Sequence, residues 1–488
     1  MALQANEQQV VDGVAKQLYV GGKWRDGSGG QTLPVEDPST GEVLAEVADA
    51  TPTDAGAALD AAVDAQPDWL RTAPRDRAEI LRRAFEVIIE RSDELALLMT
   101  LEMGKPLAES KAEIAYGAEF FRWFSEEAVR VGGRWLDSPA GDGRILVMRR
   151  AVGPCLMITP WNFPLAMGTR KIGPAIAAGC TMVMKPAGAT PLSMLALAQI
   201  LQEVGLPPGV LNVVTSSSSG AVMGPLIADP RARKLTFTGS TEVGRTLMEQ
   251  ASGRLLRLSM ELGGNAPFLV FDDADLDAAV EGAVLAKMRN LGESCVAANR
   301  FHVAESVAEE FTARLAERMG AMKVGRGTQE DVKVGPLIND EQRSKVRELV
   351  NEAVGKGARA VVGGSAVDGR GYFYEPTVLA DVSDDARLLT EEIFGPVAPI
   401  TTFRDEQEAV AAANRTDFGL VAYLYSQDLS RAFRVTEALE VGMVGVNRGT
   451  VSNPAGPFGG VKQSGFGREG GAEGIEEYLS PKYVALAV

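Results

Sequence analysis

Histidine is almost absent from this sequence. The chain has 488 residues and a single histidine, His302, which lies in the short apolar run RFHVA, seven positions after Cys295. A Ser-His-Asp or Cys-His catalytic arrangement would have to use that residue. We interpret His302 as a structural side chain on a strand, and we expect any proton transfer to depend on carboxylates, lysine or water.

Cysteine and long apolar runs are scarce as well. Cys155, Cys180 and Cys295 are too few and too widely spaced for a disulfide framework or a cysteine-rich metal site. No stretch of about 20 uninterrupted apolar residues is present, so a membrane-spanning helix is not expected. The N-terminal segment lacks a basic region followed by an apolar one, the pattern of a secretory signal. These absences favour a reducing cytoplasm as the location.

Basic residues are outnumbered by acidic ones. The chain has 49 Lys and Arg against 65 Asp and Glu, which gives a formal net charge of -16. Nucleic-acid binding needs clustered basic residues, and docking on an anionic membrane needs them too. We therefore expect neither partner.

The hydrophobic pattern changes along the chain. A soluble globular chain of this length, with 45% hydrophobic residues, is expected to form two or three domains. Residues 52–130 show the apolar spacing of helices, for example in RDRAEILRRAFEVIIE. From 152 to about 270, short apolar runs such as CLMIT alternate with helical stretches, and residues 271–455 repeat that alternation. Such alternation is typical of a parallel, doubly wound α/β sheet.

One glycine-rich turn has the character of a phosphate site. In KLTFTGSTEVGRTLMEQ, an apolar run leads through Gly239, Ser240 and Gly244 into a helical pattern. Glycine allows close backbone approach, and a helix N-terminus offers free N–H groups to a phosphate. The spacing differs from the common G-x-G-x-x-G fingerprint. By itself the segment is a weak signal for phosphate binding, and a plain strand–helix turn explains it better.

Three further segments carry candidate catalytic residues. Two prolines rigidify the loop PWNFP, where the Asn162 amide can donate to an oxyanion or satisfy its own turn. Glu261 in MELGGN is either a solvated strand-end residue or a partly desolvated base. Cys295 in NLGESCVAANR is either a small core residue or, as a thiolate, a strong nucleophile.

Seven segments together indicate a family. In chain order, PWNFP, TMVMKPAGATP, FTGSTEVG, MELGGNAP, GESC, EEIFGPV and PFGGVKQSGFGREGG resemble the motif series of the NAD(P)-dependent aldehyde dehydrogenase superfamily. The resemblance extends from about residue 17 to the C-terminus. It implies an α/β fold, aldehyde dehydrogenase-like, with two doubly wound parallel-sheet domains plus a small β oligomerisation element, in a homodimer or homotetramer. The implied parts are a dinucleotide-binding domain (1–132 and 152–261), a catalytic domain (262–454), the oligomerisation element (133–151 and 472–488) and a connecting segment near the substrate pocket (455–471).

The resemblance also implies roles for individual residues. Cys295 matches the nucleophile that forms a thiohemiacetal and then a thioester, Asn162 the oxyanion-hole donor, and Glu261 the base. No metal is expected, because the oxyanion hole supplies the electrostatic stabilisation. The residues matching the NAD(P) site are Thr159, Pro160, Trp161, Lys185, Gly188, Gly239, Ser240, Gly244, Leu262, Glu392 and Phe394.

Three positions bear on the aldehyde substrate. Arg170, Arg289 and Ser452 resemble the carboxylate clamp of succinate-semialdehyde dehydrogenases within this superfamily. Arginine presents a planar fork of donors suited to a carboxylate; either arginine alone is also explained by a domain-surface ion pair. The expected substrate is succinate semialdehyde, with glutarate semialdehyde or a broader range of aldehydes as alternatives. A CoA-acylating enzyme or a catalytically silent binding protein fits less well, since Glu261 and Cys295 are both present.

Two positions depart from the family pattern. Glu293 stands two residues before Cys295, where many relatives have glutamine, and a carboxylate beside the thiol would disfavour the thiolate unless it points away. Two residues after Cys295, the chain has Ala297, so the regulatory disulfide that some relatives form there is excluded.

The cofactor preference is testable. Gly188 replaces the glutamate with which strictly NAD-using relatives bind the ribose hydroxyls and repel a 2′-phosphate. We therefore predict NADP use, with NAD also accepted, and the ratio of kcat/KM for the two cofactors measures it. A strong preference for NAD would contradict this prediction.

Overall fold

A computed structural model describes residues 3–487 of the chain. The α-helices are α1 Ala5–Asp12, α2 Pro52–Arg71, α3 Pro74–Glu90, α4 Ser92–Met103, α5 Leu107–Glu127, α6 Ala166–Ala178, α7 Leu192–Glu203, α8 Ser219–Ala228, α9 Thr241–Ser252, α10 Leu276–Met288, α11 Ala308–Gly320, α12 Asp340–Gly355, α13 Glu406–Asn414, α14 Leu429–Ala438 and α15 Glu473–Glu476. Short 3-10 turns occupy Arg289–Gly292 and Arg387–Leu389.

The strands form several sheets. In chain order they are β1 Leu18–Val20, β2 Lys23–Arg25, β3 Thr32–Asp37, β4 Glu42–Ala48, β5 Arg134–Asp137, β6 Gly143–Ala151, β7 Cys155–Ile158, β8 Met182–Lys185, β9 Leu211–Val213, β10 Lys234–Thr238, β11 Arg257–Glu261, β12 Ala266–Val270, β13 Ala298–Ala304, β14 Arg359–Val362, β15 Thr377–Ala380, β16 Val397–Phe403, β17 Phe418–Gly419, β18 Val421–Tyr425, β19 Met443–Val446, β20 Val461–Lys462, β21 Gly465–Phe466 and β22 Leu479–Ala487.

The first large sheet has the order β2-β1-β9-β8-β7-β10-β11-β21. Its five central strands are parallel, while β1, β2 and β21 pair antiparallel at its edges. Along β7, Cys155 and Met157 join one apolar cluster, whereas Leu156 joins another. Successive side chains of a strand point to opposite faces, so both faces of the sheet are buried.

The second large sheet repeats this design. Its order is β14-β15-β16-β13-β12-β18-β19, and every neighbouring pair except β14 and β15 is parallel. Along β12, Phe268 and Val270 lie in one apolar cluster and Leu269 lies in another. The predicted α/β fold with two doubly wound sheets is confirmed. The antiparallel edge strands were not predicted, because strands this short have too little sequence pattern to indicate their direction.

A third, smaller sheet stands apart from these two. It has the order β22-β6-β5 and draws on residues 134–151 and 479–487, and Trp135 and Tyr483 on it are 60% and 63% exposed. Strand β21 lies elsewhere, at the edge of the first large sheet, so part of the segment 455–471 returns to that sheet. The sheets are consistent with the domain boundaries drawn from the sequence, which stay a prediction.

His302 lies within β13, as the apolar run around it suggests. Its Nδ1 is 2.7 Å from the Thr401 hydroxyl. Burial, together with the charges of Arg300 and Arg415, lowers the pKa of His302 to about 3. The imidazole is therefore uncharged at neutral pH. Within residues 3–487, no helix has the length and apolar character needed to cross a membrane.

Candidate active site

The carboxyl ends of the first sheet's parallel strands border a cavity of about 740 Å³. Ligands commonly bind at this edge of a parallel α/β sheet. Loops after β7, β10 and β11 form one side, and Cys295, helix α12 and the turn at Glu392 form the other. The lining residues are Pro160, Trp161, Asn162, Met167, Thr238, Gly239, Ser240, Leu262, Gly263, Cys295, Gln342, Lys345, Glu392 and Phe394.

A second cavity, of about 250 Å³, also opens on Cys295. Its lining residues are Tyr116, Phe163, Met167, Arg170, Arg289, Ser294, Cys295, Val296, Ser452 and Phe458. Cys295 and Met167 border both cavities. The structure thus brings Cys295 and the three proposed clamp residues, Arg170, Arg289 and Ser452, to one small space.

The backbone before Cys295 has an unusual conformation. Asn290 and Leu291 adopt positive φ values of 53° and 63°, and Gly292 follows with a φ of 76°. Left-handed conformations of non-glycine residues persist only where their surroundings enforce them. Gly264, in the loop after β11, packs against the backbone of Cys295. A Cβ at residue 264 would lie 2.3 Å from the Cys295 carbonyl oxygen. Glycine at 264 is therefore required for the loop to reach its position.

Burial dominates the electrostatics of Cys295. The side chain is partly open to the two cavities, yet burial raises the pKa of its thiol to about 12, against the lowering effect of Arg170. Glu392 and Glu261 raise this pKa further. At neutral pH the cysteine of the free protein is a neutral thiol.

A hydrogen-bond network fixes Asn162 beside Cys295. The Asn162 side-chain nitrogen Nδ2 donates to the Glu293 carbonyl at 3.0 Å. The Asn290 side chain donates to the same carbonyl at 2.8 Å and to the Asn162 carbonyl at 3.0 Å. Lys105 Nζ donates to the Asn162 carbonyl at 2.8 Å. An amide nitrogen carries two hydrogens, so the second hydrogen of Asn162 Nδ2 is not used by the Glu293 carbonyl.

Lys105 is held in turn by a buried carboxylate. Its Nζ lies 2.6 Å from Glu113 Oε2, and both side chains are almost fully buried. The other Glu113 oxygen accepts hydrogen bonds from the backbone N–H groups of Leu165 and Ala166, at the start of α6. Removing one partner of such a buried pair costs about 3–5 kcal/mol. The sequence does not reveal this pair, because nothing in the pattern around residues 105 and 113 connects them with residue 162.

Glu261 ends strand β11 with an unpaired carboxyl group. The residue is 4% exposed, and neither carboxyl oxygen has a hydrogen-bond partner within residues 3–487. Burial raises its pKa well above the usual value, the nearby Glu469 adds to this rise, and Arg170 opposes it. The group therefore holds a proton more readily than an ordinary glutamate, which suits a group that exchanges protons.

The structure shows what the Glu293 carboxyl group contacts, two residues before Cys295. Its carboxyl oxygen Oε1 accepts a hydrogen bond from the Ile338 backbone N–H at 3.1 Å. Burial raises its pKa well above the ordinary value, and Lys105 is the charge that lowers it. Glu293 is not among the main charges that act on the Cys295 thiol. Its carboxyl group is bound to the Ile338 backbone, and its backbone carbonyl is the part that accepts from Asn162.

The sequence-derived cofactor residues divide into two groups. Seven of them line the larger cavity: Pro160, Trp161, Gly239, Ser240, Leu262, Glu392 and Phe394. Thr159, Lys185, Gly188 and Gly244 do not line it. Burial lowers the pKa of Lys185 to about 8, and Asp49 opposes this effect. Gly244 instead serves packing, because a Cβ there would lie 2.5 Å from the Leu262 side chain.

Two cavity residues on helix α12 escaped the sequence analysis. Gln342 and Lys345 stand three positions apart and therefore share one face of the helix. The Gln342 side-chain nitrogen donates to the carbonyls of Ile393 and Phe394, at 3.1 and 2.7 Å. Gln342 and Lys345 have the spacing of an ordinary solvent-exposed face on a polar helix. The sequence therefore does not indicate that they line a cavity.

The proposed clamp residues lie together, with one addition. Arg289 donates to the Ser452 hydroxyl at 3.1 Å. Arg170 lies over the Phe458 ring, 3.9 Å from its centre, and its guanidinium is 2.7 Å from a Glu469 oxygen. Arg170 is therefore already paired with an acid that the sequence analysis had not assigned, and Arg289 is the clamp arginine with no carboxylate partner of its own among residues 3–487.

The larger cavity suits a dinucleotide. Ser240 caps helix α9 by accepting from the Val243 N–H, so the helix N-terminus lies at the cavity wall. The buried Thr238 hydroxyl lacks a partner within the described residues and also faces this wall. A helix N-terminus favours phosphate binding. Within residues 3–487, no three His, Cys, Asp or Glu side chains are grouped so as to hold a metal ion.

Comparisons with known proteins agree with this geometry. The chain belongs to the aldehyde dehydrogenase family, because the sequence model of that family matches residues 24–484. The resemblance of the seven motifs is thereby confirmed.

Individual relatives and solved structures within this family are similar to the chain over nearly its whole length. A succinate-semialdehyde dehydrogenase of Paenarthrobacter nicotinovorans is 63% identical over 445 residues, which cover 91% of this chain and 99% of that protein. A glutarate-semialdehyde dehydrogenase of Pseudomonas putida is 50% identical over 473 residues, 97% and 98% of the two chains. The crystal structure of an Escherichia coli NADP dependent enzyme superposes with a TM-score of 0.96 at 49% identity, covering 97% of this chain and 98% of that one.

The raised pKa of Cys295 predicts how the free protein reacts with iodoacetamide. Only the thiolate reacts, and below the pKa its fraction increases about tenfold for each pH unit. The alkylation rate of Cys295 should therefore rise about tenfold per unit from pH 7 to pH 9 without a plateau, measured by mass spectrometry of the Cys295 peptide. The buried Cys155 and Cys180 serve as internal controls. A plateau below about pH 8 would show that the thiolate already exists in the free protein.

Proposed function

We propose that the protein oxidises succinate semialdehyde to succinate with NAD(P)⁺, in the manner of an NAD(P)-dependent aldehyde dehydrogenase. The observation that carries this proposal is the position of Cys295 between two cavities. One cavity is bordered by the residues that resemble a nicotinamide cofactor site. The other ends in Arg289 and Ser452, which suit a carboxylate.

The first chemical step uses Cys295 and Asn162. The thiol proton of Cys295 passes to solvent by way of water or the Glu261 carboxylate. Cys295 Sγ then attacks the aldehyde carbon, and the carbonyl electron pair moves onto oxygen to give a thiohemiacetal. The second hydrogen of Asn162 Nδ2 and the backbone N–H of Cys295 stabilise the oxyanion. The network from Lys105 and Asn290 holds Asn162 in place before the substrate arrives, so no reorganisation is needed at the moment of reaction.

Bound NAD(P)⁺ supplies the acceptor for the hydride that leaves the former aldehyde carbon. The residues fit this group, since Ser240 and Thr238 lie at the wall where a pyrophosphate would meet the α9 N-terminus, and Glu392 lies across the same cavity. Trp161 and Phe394 pack edge to face, with ring centres 5.4 Å apart. They give this part of the cavity an apolar wall.

The last step removes the thioester from Cys295. Glu261 accepts a proton from water, the resulting hydroxide attacks the thioester carbon, and the carboxylic acid leaves while Sγ departs as thiolate. A carboxyl group with a raised pKa is suited to take up this proton near neutral pH. Arg170 and Lys171 are the cations near Glu261 that stabilise its ionised form.

The proposed substrate is assigned from the charge of its carboxylate more than from the length of its carbon chain. The semialdehyde carboxylate would accept hydrogen bonds from Arg289 and Ser452 while its aldehyde carbon reaches Cys295. Glutarate semialdehyde is one methylene longer, a difference worth only about 1–3 kcal/mol in a pocket, and the Pseudomonas putida relative carries that name. The Escherichia coli neighbour is described as an NADP dependent enzyme, which supports NADP for this chain.

We further propose a cytoplasmic homodimer or homotetramer, in which the small sheet β22-β6-β5 is the contact element. Its outer strands leave Trp135 and Tyr483 exposed, and unpaired strand edges are natural sites of association.

Arg289 provides the test of substrate class. In Arg289→Gln, kcat/KM for succinate semialdehyde should fall about 10- to 100-fold, because a charge-assisted hydrogen bond is lost. The value for neutral propanal should change less than about threefold. Arg314→Gln, at a surface ion pair that lines neither cavity, is the matched control. The proposal fails if the unmodified protein oxidises propanal as efficiently as succinate semialdehyde.

A further inference from the structure

One polar group in the smaller cavity takes no part in the proposed reaction. Tyr116, on helix α5, lines this cavity together with Arg289 and Ser452. Its hydroxyl oxygen is inaccessible to solvent and has no hydrogen-bond partner within residues 3–487. A buried hydroxyl without a partner is destabilising. The Tyr116 hydroxyl is therefore a donor that lacks an acceptor among the described residues.

The ring of Tyr116 is held on two sides. Phe120 contacts it edge to face, with ring centres 5.1 Å apart and planes at 79°. The Arg289 guanidinium lies over the ring, 5.5 Å from its centre. These contacts need only the aromatic ring, so a phenylalanine would make them equally well. The hydroxyl is the part of the residue that packing does not explain.

The surroundings define the kind of acceptor that fits. Phe163, Met167, Val296 and Phe458 give the cavity mostly apolar walls. Arg170 is paired with Glu469, whereas the side-chain hydrogen-bond partner of Arg289 within residues 3–487 is the neutral Ser452. A small anion would therefore find one guanidinium and two hydroxyl groups here, and a carboxylate has enough lone pairs to accept from all three.

We propose that Tyr116 is a specificity-determining residue, whose hydroxyl donates a hydrogen bond to the carboxylate of the bound semialdehyde beside Arg289 and Ser452. This proposal rests on the proposed function and adds a third donor to the clamp. Tyr116 discriminates between aldehydes in two ways. It strengthens the binding of an ω-carboxylated aldehyde, and it disfavours a neutral aldehyde, which leaves the buried hydroxyl unpaired.

Tyr116→Phe removes the hydroxyl and keeps the ring. For succinate semialdehyde, kcat/KM should fall about 10- to 100-fold, mainly through a higher KM, because a hydrogen bond to a charged group is lost. For butanal, which has the same carbon number without the carboxylate, kcat/KM should stay equal or rise. The inhibition constant of succinate should increase by a similar factor to the KM for succinate semialdehyde.

The matched control is Tyr372→Phe. Its hydroxyl donates to Glu36 at the surface, and it borders neither cavity. Both aldehydes should be oxidised by this variant as by the unmodified protein. Thermal unfolding of Tyr116→Phe should occur at the same or a higher temperature, since an unpaired buried group is removed.

The outcomes separate the two proposals. If the unmodified protein does not prefer succinate semialdehyde to butanal, the proposed function fails and this inference fails with it. If the preference exists and Tyr116→Phe retains it, the proposed function stands and the role of Tyr116 is refuted. An equal loss for both aldehydes, with an unchanged inhibition constant for succinate, would also refute it, because it would show a purely structural role.

Discussion

The buried ammonium group of Lys105 connects the loops that meet at Cys295. It pairs with Glu113 and donates to the carbonyl of Asn162, while Glu113 holds the first turn of the helix that follows the Asn162 loop. A buried charge is tolerated only when its partners are complete. Any displacement of the Asn162 loop would break these bonds, so the oxyanion donor has one position. The left-handed turn at Asn290 depends on the same network, since its side chain joins two carbonyls that the network fixes.

The same burial decides the resting charge of the site. The pKa of Cys295 is raised to about 12, and that of Glu261 is also raised by burial. The thiol is therefore neutral until a reactant changes its surroundings, and Glu261 holds a proton more readily than an ordinary glutamate. A neutral thiol is protected from oxidation and alkylation, while the donors aimed at the oxyanion are already in place. The ion pair with Glu469 offsets the positive charge of Arg170 near the thiol. Arg289 remains as the arginine that can attract the substrate carboxylate.

The alternation of apolar runs and helical stretches was enough to predict both large sheets, because period and run length are local properties of the chain. The motif order predicted that Asn162, Cys295 and Glu392 would meet, and they line one cavity. Contacts between distant positions with ordinary residue types were not predictable. Glu469 beside Arg170 and the unpaired hydroxyl of Tyr116 are of this kind. The direction of the Glu293 side chain was also undetermined, since it depends on Ile338, 45 positions further along the chain.

The central claim is that Cys295 carries the acyl group during the reaction. The most direct measurement uses Glu261→Gln, which slows hydrolysis and allows the thioester to accumulate. The variant is mixed with NADP⁺ and succinate semialdehyde, quenched in acid and digested, and the Cys295 peptide is weighed by mass spectrometry. One succinyl group is expected on Cys295 and none on Cys155 or Cys180. Formation of NADPH with Cys295 unmodified, or with the acyl group on another residue, would contradict the claim.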